Sequence, residues 1–312
     1  MAISPLRDAS RKAKKLVSNT ELQYGLNSSR NWLFYSNNNG KSTLALTQLE
    51  GVDDPILCVS AGGASMYLSD EYPNAVMRSI GNLEEAEKLI KELVENAKLI
   101  QGISQILDQP DILEAAKQQF LKKYNGHEED GIEDFKYLEG LAREGKFIFS
   151  RVVLEEIDIQ SFWIQQKIEQ IFDLDQIGED KTKRGIDWNE LQKEIIDYYS
   201  KWLRLPCETI LCSPDKLPTE RQGLTQIIPS ICTGSAHRML ISLIGNVLYI
   251  DNKDGKFYVQ LKQTKDVLIR AKFFPMKTDY EKVPDKLDIT NNPRAFWEFV
   301  DKSRKGEIDM VK

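Results

Sequence analysis

The segment Asn31-Trp32-Leu33-Phe34-Tyr35-Ser36-Asn37-Asn38-Asn39-Gly40-Lys41-Ser42-Thr43-Leu44 changes character twice. Trp32 to Tyr35 are aromatic and apolar, a composition that suits a buried strand. Ser36 and the three asparagines then break the run with turn formers. From Lys41 onward, Leu44, Ala45 and Leu49 predict a helix over 41–49. Gly40, Lys41 and Ser42 therefore sit at a helix N-terminus. There the free backbone N–H groups and the positive end of the helix dipole attract anions.

Working outward, residues 56–59, Ile-Leu-Cys-Val, form a second strand-like run closed by Gly62-Gly63. Asn82 followed by Glu85 is a capped helix start, and Leu83, Ala86, Leu89, Ile90, Leu93, Val94 and Ala97 recur at helical spacing. Residues 105–145 are helical and polar on one side, with breaks at Pro110 and Gly126. They are read as an insertion, about 103–146, into an alternating α/β core. Residues 147–154 return to strand character and end in Glu155-Glu156. Helices over 160–174 and 187–205 follow, then a buried strand at 209–212 and a helix at 233–243. The runs 246–250, 256–261 and 266–272 are β-rich, and Asp254-Gly255 between the first two is a hairpin turn signal. A short helix over 293–302 packs through Phe296, Trp297 and Val300. Strand–helix alternation followed by a hairpin predicts an α/β fold, a mainly parallel central sheet with an antiparallel hairpin at its edge. The domains expected are a basic segment at 1–30, a core at 31–275 and a tail with a short helix at 276–312.

Composition narrows the function classes. No run of apolar residues is long enough to span a bilayer, and the basic N-terminal stretch is not followed by the apolar segment of a signal peptide. Cys58, Cys207, Cys212 and Cys232 show no Cys-x-x-Cys spacing, so neither a zinc site nor a disulfide framework is expected. A reduced, cytoplasmic location is the expectation, with no membrane. The net charge of −6 argues against a wholly basic surface but leaves room for a local basic groove. Arg7, Arg11, Lys12, Lys14 and Lys15 form one basic group, and Lys262, Lys265, Arg270, Lys272 and Lys277 form another. Either meets phosphate backbone or is a solvated face.

The chemistry concentrates at Asn38, Asn39, Gly40, Lys41, Ser42 and Thr43. A polyphosphate needs converging N–H groups, a cation that reaches its β and γ oxygens, and a hydroxyl that ligates Mg²⁺. Gly40, Lys41 and Ser42 supply these in order, and Thr43 serves the α-phosphate side. The full P-loop pattern places a glycine where this chain has Tyr35. Asparagine tolerates left-handed backbone well, so the loop still has residues able to curl. Magnesium at such a site needs a carboxylate at the end of a neighbouring buried strand. Glu155 fits as the metal-holding residue and Glu156 as the one polarising the attacking water. The same pair also fits a surface acidic pair opening a helix, where carboxylates are favoured anyway. His127 and His237 are read as structural or surface residues, and Cys207 and Cys212 as core.

Taken in order, these pieces resemble the AAA-type ATPases of tailed phages, a RecA-like P-loop NTPase family linked to DNA recombination and single-strand annealing. The resemblance spans nearly the whole chain: strand, loop and helix over 32–46, the strand and Gly-Gly turn over 56–63, and the acidic strand and helix over 152–172. The strand at 209–213 and the closing Arg270-Ala271-Lys272 complete it. Ser60-Ala61 stands where an acidic residue often precedes the Gly-Gly turn, and Pro214 or Asp215 where a polar residue often follows the central strand. With Tyr35, these departures bear on hydrolysis more than on binding.

The resemblance implies ATP and Mg²⁺ as cofactors, a homo-oligomer in which Lys272 or Arg270 touches a neighbouring subunit's γ-phosphate, and phage recombination or replication proteins as partners, in the host cytoplasm. Single-stranded DNA would be met by residues 213–226, with Lys216 and Arg221, and by the terminal basic residues. A nucleotide-binding scaffold without turnover, recruiting partners through the helical insertion, is the alternative.

Overall fold

The computed structural model describes residues 27–36, 40–63, 65–124, 127–174, 176–177, 186–216, 227–231, 234–275 and 278–307. The strands are β1 (Asn31–Ser36), β2 (Ile56–Ser60), β3 (Ala75–Ser79), β4 (Arg151–Glu155), β5 (Glu208–Lys216), β6 (Ile228–Pro229), β7 (Asn246–Lys253), β8 (Lys256–Gln260), β9 (Arg270–Ala271) and β10 (Lys286–Asp288). The helices are α1 (Lys41–Leu46), α2 (Leu83–Ser104), α3 (Pro110–Leu121), α4 (Glu128–Glu144), α5 (Ile157–Phe172), α6 (Ile186–Leu203), α7 (Gly234–Leu243) and α8 (Arg294–Lys305).

One sheet organises the chain, in the order β10-β8-β7-β1-β5-β4-β2-β3, with β6 paired to β5 and β9 to β7. Every neighbouring pair from β7 to β3 is parallel. β8 runs antiparallel to β7, and β10 antiparallel to β8. The expected α/β architecture, parallel in the middle and antiparallel at one edge, is the one found. The hairpin turn is where it was expected too: Asp254 and Gly255 both have positive φ, 53° and 77°, which a two-residue turn matching the twist of its strands requires.

The parallel strands are near-continuous apolar runs because helices cover both faces. β1, β2 and β4 are buried at every position. Trp32 and Phe34 of β1 pack edge-on against Phe296 of α8, so the C-terminal helix closes the core under the central strand. α2 starts as expected: Asn82 Oδ1 accepts from the Glu85 N–H at 3.0 Å, and the Glu85 carboxylate accepts from the Gly81 N–H at 2.9 Å. Between β3 and β4, α2, α3 and α4 pack together through Phe120, Phe135 and Leu138.

Several elements differ from expectation. α1 ends at Leu46 rather than at 49, because Thr47 turns extended (φ −68°, ψ 135°) while its hydroxyl bonds back to the Thr43 carbonyl at 2.7 Å. The strand expected over 147–154 shortens to β4, since residues 147–150 form the approach, with the Ser150 N–H donating to Pro55 O. β5 is longer than 209–212 and carries its polar end onward to Lys216. The run 266–272 forms only the two-residue β9, with Val267 in an isolated parallel bridge to Ile227. β3 was not expected; its residues are mostly exposed on the sheet edge, so it lacks the apolar pattern of a covered strand.

Candidate functional site

Parallel register brings the carboxyl ends of β1, β5, β4 and β2 to one edge. Tyr35 lies beside Ser213, Leu211 beside Leu154, and Glu155 beside Ser60. In open α/β sheets this is the edge where ligands bind. Gly40 enters α1 with φ 104° and ψ −21°. That left-handed conformation favours glycine, and a Cβ there would also stand 3.1 Å from the Phe257 ring. Lys41 opens the helix, and its ammonium donates to the Ser36 carbonyl at 3.3 Å, folded back across the mouth of the loop. Asn38 and Asn39 lie outside the described residues. Thr43 is half-buried, and its carbonyl accepts from Thr47 and, at 3.4 Å, from the Tyr72 hydroxyl.

Tyr35 is fully buried. Its hydroxyl donates to the Leu268 carbonyl at 2.5 Å and approaches the Ile227 carbonyl at 3.3 Å, and its ring lies 5.1 Å from that of Tyr249. The residue standing in the glycine position is therefore a buried anchor between β1 and the segment beside β9. Burial, the largest cause, raises its pKa far above that of an ordinary phenol.

Glu155 is the centre of the site. It ends β4, is 4% exposed, and its Oε1 has no hydrogen-bond partner among the described residues. Burial raises its pKa; hydrogen bonding from the Ser42 hydroxyl and the Cys212 thiol, and the charge of Lys41, oppose that rise without cancelling it. Glu155 thus lies close to Ser42 and Lys41, the residues grouped with it on sequence. A surface acidic pair is excluded for this residue by its burial. An isolated buried carboxylate is costly, so a carboxylate with one oxygen left over beside a helix-borne hydroxyl is a place where a cation could be held. Among the described residues, no cluster of three or more His, Cys, Asp or Glu encloses a metal. A cation held here takes its remaining ligands from water or phosphate, as magnesium does.

Glu156 behaves differently. It caps α5 in a left-handed conformation, φ 56° and ψ 46°, uncommon for a residue with a side chain. Its carboxylate accepts from the Gly62 N–H at 2.7 Å and the Ser60 hydroxyl at 2.9 Å. The end of β2 and the turn after it, which on sequence closed a strand and matched the Gly-Gly turn of the resemblance, are what orient it. Asp158 and Asp215 were not singled out as site residues. Burial raises both pKa values, and Lys41 is close enough to lower them. Asp215 also accepts from the Tyr249 hydroxyl at 3.4 Å. The signal available for Asp215 was its place directly after an apolar strand.

Lys272 lies elsewhere. Its N–H donates to Gly245 O and its ammonium to Ser28 Oγ at 3.4 Å, beside the start of β7, at the opposite edge of the sheet. Within one chain it does not join Lys41, because β7 and β1 are parallel and Lys272 sits at their amino ends. Arg270 donates to the Ile241 and Ile244 carbonyls, at the C-terminal end of α7. Of the remaining basic residues in that group, Lys262 pairs with Asp285 at 3.3 Å and Lys265 is exposed. Arg221, Lys277 and the N-terminal basic residues lie outside the described residues. Cys58, Cys207 and Cys212 are buried free thiols, and Cys212 contributes to the site only as the neighbour of Glu155.

No protein-family model matches the chain, and no curated protein is significantly similar to it. Among the described residues no helix is long and apolar enough to cross a membrane.

Proposed function

We propose that this chain binds ATP with Mg²⁺ at the carboxyl end of β1 and serves as a RecA-like, phage-type P-loop ATPase in DNA recombination, repair or replication. The observation that carries the reading is Glu155, a buried carboxylate with one open oxygen, facing the Ser42 hydroxyl and lying within the field of Lys41. Lys41 would exchange the Ser36 carbonyl for the β and γ oxygens of the triphosphate. Gly40 lets the loop backbone come close, and Thr43 serves the α-phosphate side. Ser42 and Glu155 would hold Mg²⁺, which when bound neutralises phosphate charge. α1 is under two turns long, so its dipole is small, and more of the anion's stabilisation falls to Lys41 and the loop amides.

Glu156 is the residue proposed to polarise the attacking water. Single-stranded DNA and a homo-oligomer are proposed partners, with Lys272 offered to the site of a neighbouring subunit rather than to its own. A second reading, a nucleotide-binding scaffold without turnover, is favoured by one observation: the Glu156 carboxylate is already held by the end of β2 and the turn after it, through Ser60 and Gly62.

Titration with a fluorescent ATP analogue tests the proposal. Lys41→Ala is expected to weaken binding by about 100-fold or more, the scale of a lost charge-assisted contact to phosphate. Equal affinity in wild type and Lys41→Ala would remove both readings. Binding without turnover in the wild type selects the scaffold. Salt-sensitive affinity for single-stranded DNA, improved by ATP, selects the recombination reading.

A further inference from the structure

β4 carries a charge at each end. Glu155 closes it at the candidate site, and Arg151 opens it at the far edge of the sheet. Arg151 is 8% exposed, and its guanidinium is directed at α1. Nη1 donates to the carbonyls of Ala45 at 2.7 Å and Thr47 at 2.8 Å. Trp297 of α8 adds a third contact, its indole N–H donating to Leu44 O at 2.8 Å, with Arg151 stacked 4.0 Å above its ring. The carbonyls at the end of a helix have no partners within it, and here side chains from β4 and α8 take them. Arg151 is itself held by Glu208 at 3.1 Å, and Glu208 by Arg304 at 3.0 Å. The assembly lines a groove of about 740 Å³ at the amino ends of β4 and β5.

We infer that Arg151 and Trp297 are positioning residues that set the distance between Ser42 and Glu155. This inference rests on the nucleotide-binding reading of that site. Ser42 rides on α1, and Glu155 ends the strand whose first residue grips α1 from behind. β4 is short, extended and buried at every position, so it acts as a ruler between the grip and the carboxylate. α1 is too short to hold its own geometry, and its place depends on what binds its far end. Lys41 and the loop would bind phosphate without this register. A divalent cation shared between Ser42 and Glu155 would not tolerate its loss, since magnesium demands near-ideal geometry.

The test is the ratio of affinities for the fluorescent ATP analogue in excess Mg²⁺ and in EDTA, for wild type, Trp297→Phe and Arg151→Lys. Trp297→Phe keeps the ring under Arg151 and removes only the donor to Leu44 O. Its metal-free affinity is expected to stay within about twofold of wild type, while the magnesium-dependent gain falls about fivefold, the worth of one ordinary hydrogen bond. Arg151→Lys keeps the charge but loses the fork and is expected to lose more of that gain. Should it fail to fold, Trp297→Phe decides alone. In the ligand-free protein, hydrogen exchange of the α1 amides is expected to quicken in Trp297→Phe while that of β4 does not.

An unchanged magnesium gain in Trp297→Phe overturns the inference, as does equal loss of affinity with and without metal, which marks a general loosening. A wild type that binds nucleotide with no magnesium gain overturns it while leaving the nucleotide reading intact. A wild type that binds no nucleotide removes both.

Discussion

The two ends of β4 bury charge in different ways. At the amino end, Arg151 gives its donors to two carbonyls and to Glu208, and Glu208 takes a second cation in Arg304. At the carboxyl end, Glu155 is buried as deeply and keeps an oxygen without a partner among the described residues. Their pKa directions follow. Burial alone would raise Glu208, but Arg151 and Arg304 together pull it below the usual carboxylate range. Burial raises Glu155, and Lys41 with the Ser42 and Cys212 donors does not undo it. A satisfied buried charge fastens a fold; an unsatisfied one costs stability and persists where a ligand completes it. The contrast, rather than either end alone, is what supports the proposal of a site at the carboxyl edge.

The contrast breaks most visibly at Glu208. Glu208→Ala strands Arg151 in the core and is expected to cost about 3–5 kcal/mol in urea unfolding. A loss under about 1 kcal/mol would mean that the amino end is no better satisfied than the other. Glu155→Gln goes the opposite way. Removing an uncompensated charge is expected to raise the ligand-free Tm at pH 7 by about 2–4 °C, while abolishing any magnesium gain in nucleotide affinity. A lowered Tm would show that Glu155 is already answered without a ligand.

Acid sharpens the same comparison. Glu155 has a folded pKa above its unfolded one, so its penalty is complete above the folded value and relieved as pH falls toward the ordinary carboxylate range near about 4. Glu208 is depressed, so its contribution persists above the unfolded value and fails only as pH drops through the lower folded one. The Tm advantage of Glu155→Gln over wild type is therefore expected to shrink as pH falls toward that range in thermal melts. The smallest effect belongs to Ser60→Ala, which removes one of the donors holding Glu156. It is expected to cost about 0.5–1.5 kcal/mol. If the wild type turns ATP over, the variant's rate is expected to change with little change in affinity. A shift in affinity alone would place Ser60 with binding rather than with Glu156.

How far the sequence carried depended on burial. β1, β2 and β5 are legible because strands covered on both faces must be apolar throughout, and Asp254-Gly255 is legible because few residue pairs accept positive φ twice. β3 is not, since an exposed edge strand needs no apolar pattern. Gly40, Lys41, Ser42 and Glu155 were legible as a set, because loop, helix start and acidic strand end follow one another in a fixed order. Arg151 was passed over as the first residue of a strand. A charge opening an otherwise apolar run was a readable sign of a buried pair, but its partners, Glu208 and the carbonyls of α1, are distant in sequence or belong to the backbone. The role of Tyr35 was hidden for the same reason: Leu268 O is a main-chain group that no side-chain pattern announces.

α1 spans six residues, below the length at which a helix nucleates and persists by itself in water. A synthetic peptide copying the loop and this helix would thus be inert toward phosphate, however faithful its sequence. Any phosphate affinity of this edge would belong to the assembled sheet, which holds α1 in place, and not to the segment alone.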